Sequence, residues 1–230
     1  HCIETCSKLN INLITESIEI KVDGGGLESA SRKARYRVFE KILNAGDQLL
    51  LGHHSDDVAE TLFMRLLRGT GPDGMEGPKL QRSLGKGVLI RPFLEISKKH
   101  ILDYLNKNNI DYIEDDSNLS NDFDRNYLRN EIFPMLERKW NNFPNRINNF
   151  SKIIKDRNNS YSYLMHEKYN DLITNSIDLK KLRELSNPVI SDVLRYSIKK
   201  CNIAAPNSKI IEEIIKTFVN SNPGPKSKVE

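Results

Sequence analysis

The sequence predicts an α/β domain with a mainly parallel sheet, followed by a smaller all-helical domain. Three observations carry this. Two short, wholly apolar runs, Leu49-Leu50-Leu51 and Val88-Leu89-Ile90, have the character of strands buried on both faces of a parallel sheet. Helical periodicity lies before, between and after them, and no strand pattern appears from about Phe143 onward. The boundary falls near Asn141, giving an α/β domain over 1–141 and a helical domain over 142–230.

The elements follow in order. His1 to Leu9 reads as helix, and Leu13 to Ile20 as a strand with partial alternation. Gly24-Gly25-Gly26 interrupts the pattern as a flexible loop; it is not the Gly-x-Gly-x-x-Gly that opens a helix after a strand in a phosphate cradle. Leu27, Ala30, Ala34, Val38 and Ile42 then share one face of a helix over 27–43. After the first apolar strand, Ser55-Asp56-Asp57 opens a helix that runs to Arg68, with Ser55 as capping residue and two acids where the helix dipole favours them. Gly69-Thr70-Gly71-Pro72-Asp73-Gly74 stops it. The second apolar strand leads through Arg91-Pro92 to a helix capped by Ser97, then to a short Tyr112-Ile113-Glu114 segment.

Beyond the boundary, Pro144 suits a first helical turn, and Ile147, Phe150, Ile154, Tyr161 and Leu164 mark a long amphipathic helix. Shorter helices follow near 179–185, 188–200 and 208–218, and Asn220 to Glu230 has the composition of a disordered tail or of the start of a linker.

Charge is divided unevenly. The net +4 arises from 21 Lys+Arg against 22 Asp+Glu in residues 1–150 and 14 against 9 in residues 151–230, so the basic surplus lies in the helical part. Such a surplus suits a polyanion partner or a solvated basic face. Cys2, Cys6 and Cys201 are too few and too scattered for a disulfide framework or a zinc ribbon, and are expected to be reduced thiols of a cytoplasmic protein. No run approaches a membrane span, and the first residues lack the order of a signal peptide.

The chemistry concentrates in Gly52-His53-His54-Ser55-Asp56-Asp57-Val58-Ala59-Glu60-Thr61, at the carboxyl end of an apolar strand and the start of a helix. Ligands of open α/β sheets bind at that edge. Asp57 and Glu60, three apart, share a helix face, and His53 precedes the first turn. Two acids with an imidazole can hold a cation, bind a metal or accept a proton. Taken singly, each is equally a helix-start residue, and the His-Glu-x-x-His spacing of a metal site is absent. Arg125 and Arg129, at i and i+4, form a basic helical face suited to RNA backbone or to ion pairs with Glu131 or Asp124.

The decapeptide with Met64-Arg65-Leu66-Leu67-Arg68-Gly69-Thr70-Gly71 resembles the central motif of the tRNA(Ile)-lysidine synthases. Four further matches stand in the same order: Ala34-Arg35-Tyr36, Ile90-Arg91-Pro92-Phe93-Leu94, Glu114-Asp115-Asp116-Ser117-Asn118, and Arg125-Asn126-Tyr127-Leu128-Arg129 leading to Pro134. The resemblance covers about residues 28–140. It implies a Rossmann-like ATP pyrophosphatase domain, incomplete here, and a helical domain that meets tRNA. It also implies use of ATP and Mg2+, with free L-lysine and an isoleucine tRNA bearing a CAU anticodon as partners, and it allows a homodimer. The implied reaction adenylates the C2 oxygen of the wobble cytidine, after which the ε-amine of lysine displaces AMP.

By the same resemblance Asp57, Glu60 and His53 hold and deprotonate the lysine and Arg35 faces the same centre; separately, Arg65 and Arg68 are expected to meet tRNA, as are Arg125 and Arg129 where they are not taken up by ion pairs. The family's ATP site uses Ser-Gly-Gly-x-Asp-Ser, which this sequence does not contain. The expectation is therefore that the chain lacks an N-terminal segment carrying that loop, together with any C-terminal extension, and that residues 1–230 alone make no product. Two rival readings remain: a tRNA thiolase of the same fold, which would need a well-placed cysteine pair, and a non-catalytic RNA-binding relative.

Overall fold

The computed structural model describes residues 1–22, 26–173, 176–201, 203 and 206–221. The Gly24–Gly25 part of the glycine run and residues 222–230 of the expected tail lie outside the described residues. The chain divides into two compact units, one made of His1–Gly69 and Gly77–Ser151, the other of Thr70–Glu76 and Lys152–Glu230.

The first unit is mostly helical around a small mixed sheet. Its elements are α1 (Cys2–Lys8), α2 (Gly26–Ile42), β1 (Gln48–Leu50), α3 (Ser55–Leu67), β2 (Gln81–Leu84), β3 (Gly87–Ile90), α4 (Lys98–Lys107), α5 (Asp124–Tyr127) and α6 (Phe133–Lys139). The sheet order is β1-β3-β2. β1 runs parallel to β3 with Leu49 opposite Leu89, while β2 runs antiparallel to β3 with Leu84 opposite Gly87. The expectation of a mainly parallel sheet is thus corrected: β2 was not foreseen, and half of the pairing is a hairpin. Gly85 makes that hairpin possible, because it opens the two-residue turn at φ +54. A side chain at Gly87 would stand 2.7 Å from the Asp47 carbonyl, so glycine there lets β3 approach β1 closely.

Two other strand expectations are also corrected. Leu13–Ile20 forms no ladder and lies largely exposed, because a strand needs a neighbour for its N–H and C=O groups and no described strand pairs with it. β1 is not buried on both faces: Leu49 packs with Tyr36, Phe39 and Leu43 of the α2 side, whereas Leu50 is 62% exposed.

Helix α3 packs on the following helices through Ala59, Leu128 and Phe133, where Phe63, Phe133 and Phe143 meet edge to face at 5.3–5.9 Å. Between α5 and α6 the backbone widens into a π turn over Leu128–Ile132, with the Phe133 N–H donating to the Leu128 carbonyl. Pro134 explains this. It has no N–H for the carbonyl four residues back and its ring would crowd that carbonyl, so the wider turn lets the helix continue.

Helix α7 (Phe143–Tyr169) belongs to the first unit through Ser151 and to the second beyond it. Its buried positions are Ser151, Asn158 and Met165, spaced by seven, while Phe150 and Leu164 are exposed at 46% and 63%. The stripe expected from its large apolar residues is therefore not the buried one. Asn158 is buried because it donates to the Glu76 carboxylate at 2.8 Å, and Lys199 donates to the same carboxylate at 3.1 Å. The second unit also contains α8 (Leu179–Leu182), α9 (Asn187–Lys200) and α10 (Ser208–Ile214). Leu182, Ile190, Val193 and Ile211 form its fully buried centre.

Candidate active site

The site grows from the start of α3. His54, not Ser55, is the capping residue, and its N–H donates to Asp57 Oδ2 at 3.0 Å. Ser55 stands one step inside the helix and is buried; its N–H donates to the Ile96 carbonyl at 2.9 Å, and its own carbonyl accepts from Asn148 at 2.9 Å. Asp56 accepts the Lys98 N–H at 2.8 Å, tying the start of α3 to the start of α4. Burial works to raise the Asp56 pKa, but His54 and the Lys98 N–H overcome it and hold the carboxyl down to about 2. The helix start is therefore fixed before any ligand arrives.

On the next turn, α3 presents Asp57 and Glu60 to two arginines whose partners were not deducible from the sequence. Arg125 Nε donates to Glu60 Oε2 at 2.6 Å, and its Nη2 to Asp57 Oδ1 at 3.1 Å. Arg129 Nε donates to Glu60 Oε1 at 2.7 Å, and its Nη2 reaches Glu60 Oε2 at 2.9 Å and Asp57 Oδ1 at 3.3 Å. Glu60 is only 2% exposed. Burial works against the Arg129 charge, yet the hydrogen bonds and charge of Glu60, then the charge of Asp57, hold it above the ordinary guanidinium value. A buried carboxylate with two forked guanidinium partners is well compensated.

His53 stands beside this cluster. Burial lowers its pKa most; the charge of Asp57 raises it, and those of Arg91, Arg125 and Arg32 lower it further. The result lies below the ordinary value of 6.5, so the ring is neutral at pH 7. Its Nδ1 is buried without a hydrogen-bond partner among the described residues. A neutral imidazole with an uncommitted nitrogen can accept a proton.

Asp57, His53 and Arg125 line a cavity of about 480 Å³. Arg65 from α3, Arg68 just after it, Arg32 from α2 and Arg91 just after β3 line it as well. Of the residues expected at the site, Asp57, His53, Arg65, Arg68 and Arg125 are brought to this cavity, while Glu60 and Arg129 stand behind Asp57. Arg35 is exposed on α2 and does not line it; Arg32, one turn earlier, does. Arg32 and Arg91 were missed. The signals were the i, i+3 spacing to Arg35 and the position just after the apolar strand.

Asp57 and Glu60 do not fit a divalent cation in this arrangement, because their oxygens already accept from arginines and the His54 N–H. Among the described residues no group of three or more His, Cys, Asp and Glu is placed to hold a metal ion. No described helix is long and apolar enough to cross a membrane. Cys2 and Cys6 lie on α1 and do not line the cavity.

Residues 1–136 match the family model of the PP-loop domain, which covers the sheet, the acids of α3 and both arginines. The chain belongs to the PP-loop domain family. Beyond that match, it is similar to proteins named tRNA(Ile)-lysidine synthase. It is 35% identical over 229 residues to the one from Buchnera aphidicola subsp. Schizaphis graminum, a match covering 97% of this chain and 51% of the relative. It is 41% identical over 141 residues to that of Coxiella burnetii, covering 61% and 31%. With that of Wigglesworthia glossinidia brevipalpis it shares 31% over 235 residues, covering 100% and 58%. The chain spans about half the length of the relatives it matches along its whole extent. In this PP-loop domain the acids and arginines just described all fall within the matched residues.

Proposed function

We propose that this chain is the catalytic part of a tRNA(Ile)-lysidine synthase, using ATP to adenylate the C2 oxygen of a wobble cytidine and then joining the ε-amine of free lysine at that carbon. The observation that supports it most is the placement of Asp57 beside a neutral His53 in a cavity otherwise rich in arginine. Such a site can neutralise one incoming ammonium amid anionic substrates.

The lysine amine has an ordinary pKa of about 10.4 and arrives protonated, so it must lose a proton before attack. Asp57 Oδ1 is shared by two guanidinium groups at 3.1 and 3.3 Å, longer than the 2.6–2.9 Å contacts that hold Glu60. It is the oxygen an ammonium can take with least loss. Glu60 then keeps Arg125 and Arg129 in place, and His53 offers the uncommitted nitrogen for the proton. ATP supplies the adenylyl group, releasing pyrophosphate; AMP leaves as the C–N bond forms.

Arg65 and Arg68 face the RNA in this reading. Arg125 and Arg129 reach it only with the edges that the acids leave free. Residues 142–230 form the helical part that carries the basic surplus toward tRNA, and the whole acts in the cytoplasm. The test is ATP-dependent incorporation of labelled lysine into isoleucine tRNA by the full-length protein. RNA binding without incorporation would replace this reading by that of a non-catalytic relative.

A further inference from the structure

Helix α2 brings a second acid to the cavity. Glu28 and Asp57 are the acidic residues that line it, and Glu28, in the first turn of α2, is exposed. Arg32 stands four residues further on, and a glutamate in that order ordinarily pairs with its basic neighbour along a helix face. Here the pair does not form. The Arg32 guanidinium is turned along the helix onto Tyr36, 4.9 Å from the ring centroid and with Nη2 3.4 Å from the hydroxyl. Among the described residues, no cation lies within ion-pair distance of Glu28.

Asp57 differs, because Arg125 and Arg129 already engage it. Glu28 is thus the carboxylate left open toward a cavity whose other charged residues are arginines. Such a group repels an anionic ligand and rewards a cationic one. Free lysine, the amine of the proposed reaction, carries two ammonium groups and one carboxylate at pH 7. Its ε-ammonium is matched by Asp57, and its carboxylate can meet any of the arginines. Its α-ammonium finds a counter-charge in this cavity only at Glu28. Val58, Met64 and Leu94 line the same cavity and give the methylenes between the two ammonium groups an apolar surface.

We propose that Glu28 binds the α-ammonium of the incoming lysine and so selects a free amino acid over a primary amine that lacks this group. The assignment rests on the lysidine reading. It makes Glu28 a specificity-determining residue at the end of the substrate remote from the reacting nitrogen, and it leaves adenylation untouched. A purely structural role is the alternative: an acid in the first turn of α2 is favoured by the helix dipole, and its loss would then weaken the helix whatever amine is bound.

The experiment measures kcat/KM for the ATP-dependent joining to isoleucine tRNA of lysine and of 6-aminohexanoate, which is lysine without its α-ammonium. Where 6-aminohexanoate is joined too slowly to follow, its inhibition constant against lysine replaces kcat/KM. The full-length protein is compared with Glu28→Gln and with Glu40→Gln, the same charge change at an exposed position of α2 that does not line the cavity. Glu28→Gln is expected to lose about tenfold or more with lysine, carried by KM, and less than about twofold with 6-aminohexanoate, as for a lost charge-assisted contact. Glu40→Gln should stay within about twofold for both. Equal losses with the two amines, an unchanged KM for lysine, or the same pattern in Glu40→Gln overturns the assignment of Glu28 alone. No joining of lysine by the natural protein overturns the lysidine reading, and this subsite with it.

Discussion

Glu60 and Arg129 meet in a two-pronged ion pair, Nε to Oε1 at 2.7 Å and Nη2 to Oε2 at 2.9 Å, although 69 residues separate them in the chain. Arg125 adds a third contact at 2.6 Å, so one buried carboxylate joins α3 to the turn after α5. Neutralising it leaves two half-buried guanidinium groups without their counter-charge. Glu60→Gln should therefore lower stability by about 3–5 kcal/mol, the range for breaking a buried pair from one side. Urea unfolding measures this, and a loss under about 1 kcal/mol would mean that solvent already screens the cluster.

Asp56 makes stability depend on acid. Its folded carboxyl titrates at about 2, below the ordinary 3.8, so the group binds protons less readily folded than unfolded. Its contribution is complete above about pH 4 and disappears as pH falls toward 2. Because a third of the side chain is exposed, the contribution is about 1–2 kcal/mol after discounting for solvent screening. The stability gap between the natural chain and Asp56→Asn should be constant above pH 4 and close below it. A gap that persists unchanged to pH 2 would assign it to shape rather than charge.

What the sequence disclosed follows from how local each signal is. Helices α3, α4, α7 and α9 were legible as helices because their signals lie within one element, and the Ser97 cap, accepting from the His100 N–H at 3.2 Å, is such a case, although the cap of α3 and the buried stripe of α7 were not. The β2 strand was not, since Gln-Arg-Ser-Leu offers one buried side chain and exists by pairing with β3. Leu13–Ile20 shows the converse: alternation supplies a strand's faces but not its partner. At the site, Asp57, Glu60 and His53 were visible as a cluster, whereas the contacts of Arg125 and Arg129 close only in three dimensions. For the same reason Arg32 was missed and Arg35 named in its place, since only the rotation of α2 shows which of them lines the cavity.

The basic surplus beyond residue 150 predicts a salt signature. If the helical part meets tRNA, the logarithm of affinity should fall steeply against the logarithm of salt concentration, since each neutralised phosphate releases counterions. Lys155 and Arg157 are exposed on α7, and replacing both by Gln should reduce the slope by roughly 1–2. An unchanged slope would make these cations solubilising surface.

Asp57→Asn separates the two chemical steps of the proposed reaction. The amide keeps the size of the side chain and one oxygen for the His54 N–H, while Arg125 and Arg129 keep their shorter contacts with Glu60. The fold should therefore survive, while the charge that neutralises an incoming ammonium, and that Oδ1 offers to Arg125 and Arg129 at 3.1 and 3.3 Å, is lost. Adenylation does not involve lysine, so tRNA-dependent consumption of ATP in a single turnover should persist while lysidine formation falls by about 10²–10⁴-fold, the usual cost of a positioned base. Asp56→Asn is the matched control. It loosens the Lys98 contact at 2.8 Å and costs stability, yet its carboxylate is not among the groups lining the cavity, so lysine transfer should continue at nearly the natural rate below the melting range. If Asp57→Asn abolishes adenylation and transfer together, the carboxylate serves the nucleotide step instead. If both variants lose a little of each, Asp57 does no more than start the helix.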